Sequence, residues 1–260
     1  HYDLGNDFYR LWLDPSMSYS SALYRTGDGG DLASAQRAKY HRILHRLQAT
    51  PGQSVLEIGC GWGGFAEIAT AAGLRVTGLT LSPAQLEWAR QRVPQADLRL
   101  QDYRDTREQF DHIVSIEMFE AVGERWWPSY FRTLARALQP GGRAVVQSIT
   151  IRDDLFADYR KGTDFIQQYV FPGGMLPSRP AFRAAAARQG LAVRGEYAFG
   201  ADYARTLGEW RRAFDAHWPQ VAALGFDEHF RRLWRLYLSY CEAGFLAGNI
   251  DVVHFELVHH

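Results

Sequence analysis

The stretch from Ser54 to Ala66, S-V-L-E-I-G-C-G-W-G-G-F-A, constrains the fold more than any other part of the chain. A short apolar run, Val55 to Ile58, breaks into four glycines (Gly59, Gly61, Gly63 and Gly64), and a helix-like pattern follows at once. Glycine reaches backbone angles closed to other residues and leaves no Cβ in the way of a ligand. A strand that turns into a helix through such a loop makes a cofactor floor at the carboxyl end of a parallel sheet. The dinucleotide fingerprint wants a later glycine, and Ala66 and Glu67 stand in its place. A strand-turn-helix with glycines for tight packing fits the same letters, so the loop alone leaves that alternative open.

The surrounding text is an alternation of strands and helices. Before the loop, Asn6 or Asp7 is expected to cap a short helix with Phe8, Leu11, Trp12 and Leu13 on its apolar face, ended by Asp14-Pro15. A longer helix is expected from Asp31 to Gln48, with Ala35, Tyr40, Ile43, Leu44 and Leu47 facing the core. After the loop, strands are expected at Arg75 to Thr80, Leu98 to Gln101, His112 to Ile116 and Arg143 to Ile149. The helices between them include one that starts at Pro83 and one from Trp127 to Leu138 that stops at Pro140-Gly141-Gly142. This spacing means a doubly wound, mostly parallel α/β sheet.

From Asp164 to Pro177 the text is aromatic and glycine-rich and reads as an ordered loop or lid. A helix from Pro180 to Gln189 and a strand from Ala192 to Tyr197 resume the sheet. Helices near Tyr203 to His217 and Asp227 to Ala247 lead to a last strand, Ile250 to Val258. With no repeat and no linker, a single domain is expected: an N-terminal helical cap over 1–50, a cofactor core over 51–150, and a substrate cap with the final strands over 151–260. The chain begins in mid-pattern at His1, and an N-terminal extension is expected to be missing from it.

Composition narrows the partners. A formal net charge of zero argues against a nucleic-acid binder that relies on a strong global field. Lysine occurs only at Lys39 and Lys161. The 15 Phe, 13 Tyr and 8 Trp suit a wide apolar cavity for a greasy partner, and a large core equally well. Two cysteines in different motifs give neither a disulfide framework nor a metal site, so a cytoplasmic protein is expected. No apolar run approaches the roughly 20 residues needed to span a bilayer.

Ligands in such a sheet sit beyond the strand carboxyl ends. Those ends present Gly59 and Gly61, Thr80 and Leu81, Gln101 and Asp102, Ile116 to Glu120, and Gln147 to Ile149. The second strand ends without an acid, and Gln85 can take ribose hydroxyls through its amide. Asp102 can accept from an adenine amino group. An exposed helix residue and an ordinary turn acid explain Gln85 and Asp102 equally well. Glu120, among Met118, Phe119 and Val122, is a candidate for orienting or accepting a proton, or a helix-start acid. Cys241 sits on an apolar helix face, where a thiol is usually core.

Taken together, the motifs resemble the cyclopropane-fatty-acid synthase family, including the mycolic acid cyclopropane synthases and related fatty-acyl C-methyltransferases. The resemblance rests on H-Y-D-L-G-N-D-F-Y-R-L-W-L-D from His1, V-L-E-I-G-C-G-W-G-G from Val55, G-L-T-L-S from Gly78, M-F-E from Met118, F-P-G-G from Phe171 and Tyr240-Cys241. It implies a class I, Rossmann-like methyltransferase fold whose helical insertions cap a lipid substrate. It implies S-adenosylmethionine as methyl donor, held by Tyr19, Ser20, Gly59, Gly61, Thr80, Leu81, Gln85, Gln101 and Asp102. It places Glu120, Tyr203, Gln147, Ile149, Ser21 and Cys241 in the catalytic set, around a bicarbonate that takes a proton from the added methyl. The implied partner is an unsaturated fatty acyl chain or phospholipid met at a membrane surface, with no nucleic acid and with a homodimer as an open expectation.

Three positions depart from the synthase pattern. Ala121 follows the glutamate where the synthases have histidine, Ser21 stands for a cysteine, and Gln147 stands for a histidine. Gln147 donates a hydrogen bond but cannot act as general acid or base. Two outcomes therefore stay open: a cyclopropane, or C-methylation without ring closure, as in methylene, 10-methyl or furan fatty acids. A small-molecule methyltransferase and a silent lipid-presenting partner are the remaining alternatives.

Overall fold

The computed structural model describes residues 4–24 and 30–260, so His1 to Asp3 of the first motif lie outside the described residues. Seven strands form one sheet in the order β3-β2-β1-β4-β5-β7-β6. β1 (Ser54–Ile58), β2 (Arg75–Thr80), β3 (Asp97–Leu100), β4 (Phe110–Ile116) and β5 (Leu138–Ile151) pair in parallel. β7 (Ile250–His259) runs antiparallel between β5 and β6 (Leu191–Ala198). Strand order reverses between β1 and β4, and the crevice past their carboxyl ends is where a sheet of this kind binds ligands.

Both faces of the sheet are covered, which is why its central strands are apolar on both sides. Alternation along β1 sends Val55 to one face and Leu56 to the other. On the first face, α2 (Leu32–Leu47) and α3 (Gly64–Ala71) bring Tyr40, Ile43, Leu47 and Phe65 against Val55, Val76 and Val114. On the second, α5 (Trp127–Ala137) and α8 (Arg179–Ala187) pack Phe131, Leu134 and Phe182 against Leu56, Ile113 and Phe255. Helix α4 (Pro83–Arg92) starts at Pro83 as expected, capped by Ser82.

A third cluster forms the cap. Helix α1 (Asn6–Arg10) and the turn after it pack with α9 (Gly200–Ala216) and α11 (Glu228–Leu246) through Phe8, Trp12, Trp210, Phe214 and Trp234. The Trp12 ring lies edge-on to Trp210 and Trp234, with centroids 5.7 and 5.8 Å away. Tyr19 joins this cluster from below, its hydroxyl 2.9 Å from that of Tyr237.

Several local expectations need correction. Neither Asn6 nor Asp7 caps α1, because Gly5 holds the N-cap position. The Asn6 side chain instead accepts from the Trp62 indole at 2.8 Å, fastening the N-terminal segment to the glycine loop. The expected loop after Asp164 contains a short helix, α7 (Phe165–Tyr169), closed by a capping box between Asp164 and Gln167. Helices α6 (Asp153–Tyr159) and α10 (Trp218–Ala223) lie between the expected elements. Pro140-Gly141-Gly142 does not precede β5 but lies inside it, at a register shift against β4. A Cβ on Gly142 would stand 2.3 Å from the Asp111 carbonyl oxygen, so only glycine fits that irregularity.

Candidate functional site: a cofactor cleft ending at a hydrogen-bonded carboxylate

One cavity of about 960 Å³ opens at the carboxyl ends of β1 to β4. Tyr19, Ser20, Gly59, Gly61, Thr80, Leu81, Gln85, Gln101 and Asp102 all line it, so the structure brings every expected cofactor residue to one place. The loop after β1 is tied to β2 by the amides of Gly59 and Cys60, which donate to the Leu79 carbonyl at 2.9 and 2.8 Å. Gly61 has φ +52°, and a Cβ there would meet no protein atom within 4 Å. A glycine is kept, with open space beside it, where a ligand needs close approach.

Polar groups around the cleft are partly committed. Gln85 accepts from the Thr80 hydroxyl at 3.0 Å, which leaves its amide hydrogens as the donors it can offer a ligand. Asp102 is held by the Arg104 guanidinium and backbone amide at 2.6 and 2.9 Å, and these bonds keep its carboxyl below the usual range. Glu57 is fully buried at the cavity wall, and its Oε2 has no hydrogen-bond partner among the described residues. Burial pushes the Glu57 carboxyl up, against the pull of Lys39. An orphaned carboxylate oxygen beside Tyr19, Tyr40 and Trp62 suits a cationic ligand. S-adenosylmethionine, with its ammonium and sulfonium, fits these residues.

At the far wall of the same cavity stands Glu117, the first residue after β4. Its backbone φ is +49°, a left-handed conformation uncommon for a side chain of this size. Such outliers persist where surrounding structure over-determines them. Here the Glu117 amide donates to the Gln147 carbonyl at 2.8 Å, so β5 holds the residue from its backbone. Its carboxylate collects three donors: the Ser21 amide at 2.8 Å and Gln147 Nε2 at 2.7 Å on Oε1, and the Tyr203 hydroxyl at 2.5 Å on Oε2. The N-terminal segment, β5 and α9 thus converge on one anion.

A second carboxyl lies nearby with a different fate. Glu120 accepts from the Ile149 amide, while its Oε2 has no partner among the described residues. Burial first, then the charge of Glu117, pushes the Glu120 carboxyl up to about 8. Burial also raises Glu117, but Tyr203, Ser21, Lys39 and Gln147 all oppose it. Two close carboxyls with unequal partners divide the roles. The three donors favour the charge on Glu117, whereas Glu120, with one backbone donor, favours the proton.

Lys39 supplies the balancing cation. It is fully buried on α2, donates to Ser20 Oγ and Gln36 Oε1 at 2.6 Å each, and sits 4.4 Å from the Tyr40 ring centroid. Burial lowers its pKa to about 8, against attraction from Glu117, Asp14 and Glu57.

The expected catalytic residues fall around this anion, each through a different contact. Ser21 meets Glu117 through its backbone amide, whereas its hydroxyl turns to the Ala22 carbonyl. Gln147 and Tyr203 bind the carboxylate directly, and Ile149 contributes only its amide, to Glu120. Glu120, whose carboxyl burial pushes up to about 8, is held by the Ile149 amide. Cys241 packs against the cap, its thiol pushed up to about 12 by burial and then by Asp164 and Glu117. It is a thiol and not a thiolate at pH 7. Glu117, Lys39 and His254 escaped the sequence reading. The signal for Glu117 was its place directly after the fourth strand, and for Lys39 its place on the apolar stripe of α2.

A family model described as mycolic acid cyclopropane synthetase matches residues 1–255. The tuberculostearic acid methyltransferase UfaA1 of Mycobacterium tuberculosis is 41% identical to 99% of this chain, which spans 64% of that protein. The cyclopropane-fatty-acyl-phospholipid synthase of Escherichia coli is 40% identical over 97% of this chain and 65% of its own length. The chain therefore spans just under two thirds of these curated relatives. Among solved structures, the cyclopropane synthase MmaA2 from Mycobacterium tuberculosis superposes with a TM-score of 0.91 at 32% identity, covering 99% of this chain and 95% of that one. The mycolic acid cyclopropane synthase CmaA1, complexed with SAH and CTAB, gives 0.90 at 33% identity, with 99% and 95% covered.

Proposed function

Since this chain belongs to the mycolic acid cyclopropane synthetase family, we propose that it adds the methyl carbon of S-adenosylmethionine to the double bond of an unsaturated fatty acyl chain. The acyl chain is carried on a phospholipid and reached by peripheral association with a membrane. Among the described residues no helix is long and apolar enough to cross one. The bound donor supplies a methyl made electrophilic by its sulfonium. Tyr19, Ser20, Gly59, Gly61, Thr80, Leu81, Gln85, Gln101 and Asp102 would hold and orient it, and the unpartnered Glu57 carboxyl would offer an acceptor to its cationic groups.

The observation that carries this reading is the Glu117 carboxylate. Once the alkene carbon has taken the methyl, positive charge lies on the neighbouring acyl carbon, and a proton must leave. Bicarbonate is itself a carboxylate-like anion, and Ser21, Gln147 and Tyr203, residues the resemblance assigns to it, bind Glu117 instead. In this chain the protein's own side chain takes the proton, and no bicarbonate is needed. The aromatic cap keeps water from the cation.

Ring closure is the first outcome: the methyl gives its proton to Glu117 as its carbon bonds to the cationic neighbour. A second outcome uses the same base. If a hydride first shifts from the methylated carbon to its neighbour, loss of the same methyl proton leaves an exocyclic methylene. The similarity to a tuberculostearic acid methyltransferase favours keeping this branch. Trideuteromethyl S-adenosylmethionine with purified chain and phospholipid tests the proposal by mass spectrometry. Both outcomes keep two deuterium atoms. Ozone cleaves only the methylene product and so separates them. An acyl product with no added carbon would refute the proposal.

A further inference from the structure

Behind Gln147 runs a chain of hydrogen bonds that leaves no freedom in its assignment. Arg42 on α2 donates to His254 Nδ1 at 3.1 Å, His254 Nε2 lies 2.7 Å from Gln147 Oε1, and Gln147 Nε2 lies 2.7 Å from Glu117 Oε1. A guanidinium has only donors, so Nδ1 must accept and the imidazole proton must sit on Nε2. That proton can only be given to the amide oxygen of Gln147. The amide nitrogen is then left facing Glu117. Reversing the amide would set two oxygens against each other at the Glu117 end and two donors at the His254 end.

The arrangement is built into rigid elements. His254 and Gln147 are register partners across β7 and β5, and both are fully buried. Phe199 sits edge-on to the imidazole, with ring centroids 4.8 Å apart. Arg42 lies 4.1 Å over the Tyr197 ring centroid and 3.9 Å from Glu256, which Arg46 binds through two hydrogen bonds of 2.6 Å. Burial, Arg42 and Lys39 all hold the imidazole neutral, as a donor-acceptor relay requires.

We propose that Arg42 and His254 are positioning residues that lock the Gln147 amide in the orientation that donates to Glu117, and so keep Glu117 ready to accept a proton. Neither residue lines the cofactor cavity, so they act only through Gln147. This role rests on the reading of Glu117 as the proton acceptor, but its structural half can be read separately. Lys39 from α2, Glu120 from the same loop, Tyr203 from α9 and Cys241 from α11 also face Glu117, with Glu57 of β1 behind Lys39. The variants below leave all of these in place.

The test compares His254→Leu with His254→Gln. Leucine removes both hydrogen bonds of the imidazole and frees the amide to turn. Glutamine can accept from Arg42 and donate to Gln147, and so restores the relay. The Glu117 carboxyl is followed by 13C NMR in glutamate-labelled protein, its resonance identified by its loss in Glu117→Gln. Losing a donor to a carboxylate raises its pKa, and H254L is expected to move the Glu117 titration up by about one pH unit. The acid limb of the turnover profile should move with it, and H254Q should titrate within about 0.3 units of wild type. An unmoved Glu117 titration in H254L overturns the proposal. A moved titration with an unmoved turnover profile upholds the lock and refutes Glu117 as the proton acceptor. If H254L does not fold, Arg42→Met, which removes the donor that fixes the tautomer and leaves the imidazole in place, must raise the Glu117 titration, and an unmoved value there overturns the proposal.

Discussion

Replacing Glu117 with glutamine keeps the shape of the carboxylate and removes its charge. The amide oxygen can stay where Oε1 stands and go on accepting from Ser21 and Gln147, at 2.8 and 2.7 Å in the native protein. The amide nitrogen then faces Tyr203, whose hydroxyl can turn from donor to acceptor. The fold is therefore expected to survive. What disappears is the proton acceptor and the counter-charge of Lys39, whose pKa, already about 8, falls further and lets it shed its proton. General-base catalysis is worth about 10²–10⁴ in rate, and the turnover of E117Q should drop by that factor. Donor affinity should hold within about fivefold, because the expected cofactor residues are untouched; one hydrogen bond of about 1 kcal/mol is the largest loss foreseen. The assay pairs transfer of labelled methyl into phospholipid with calorimetric titration of S-adenosylmethionine. Turnover of E117Q within about threefold of wild type would refute the reasoning, since a group that accepts a proton cannot be so cheaply neutralised.

Other perturbations separate the neighbouring groups. Glu120→Gln mimics the protonated form that Glu120 already holds below about 8, so turnover at pH 7 should stay within a few-fold of wild type. The same variant should change the stability profile. Because burial raises the folded-state pKa above the unfolded value of 4.5, this group's contribution to stability is full below pH 4.5 and is lost as pH rises to about 8. By pH 7 the loss amounts to about 3 kcal/mol in order of magnitude, and E120Q should lack that slope in urea titrations. Identical pH slopes in the two proteins would show Glu120 ionised in the fold. Cys241→Ala should keep turnover within about threefold and the native thiol should resist iodoacetamide, since only the thiolate reacts; rapid alkylation coupled to inactivation would contradict this. Trp12→Ala empties a fully buried site between Trp210 and Trp234 and should cost about 3–5 kcal/mol by urea unfolding. A loss under about 1 kcal/mol would mean that the cap does not depend on that ring.

The sheet was legible because its signals are local and repeated. Strands β1 to β4 and the start of α4 lie within two residues of their expected bounds, where apolar runs alternate with glycine or proline punctuation. The cofactor cleft was legible for a related reason: strand carboxyl ends in a parallel sheet share one edge. Where the reading failed, the cause was tertiary. Glu117 and Glu120 are both acids after β4, and nothing in their spacing says which one gathers donors from Ser21, Gln147 and Tyr203. Ser21 was expected from its place in the family motif, and the fold uses its backbone amide while its hydroxyl turns to Ala22. His254 becomes meaningful only when β7 is paired antiparallel to β5, which sets it opposite Gln147. Pro140-Gly141-Gly142 looked like a helix stop and a turn, but β4 pairs on both sides of it.

The central claim is that a side chain of this protein does the work of a bound bicarbonate. It is tested most directly by measuring methyl transfer to phospholipid in carbon-dioxide-depleted buffer, with and without added bicarbonate, for wild type and Glu117→Ala. Alanine empties the space bounded by the Ser21 amide, Gln147 Nε2 and the Tyr203 hydroxyl. The account predicts that wild type turns over at the same rate in both buffers, and that the alanine variant is slow without bicarbonate and recovers when it is added. A wild-type rate that rises tenfold or more on adding bicarbonate would contradict it.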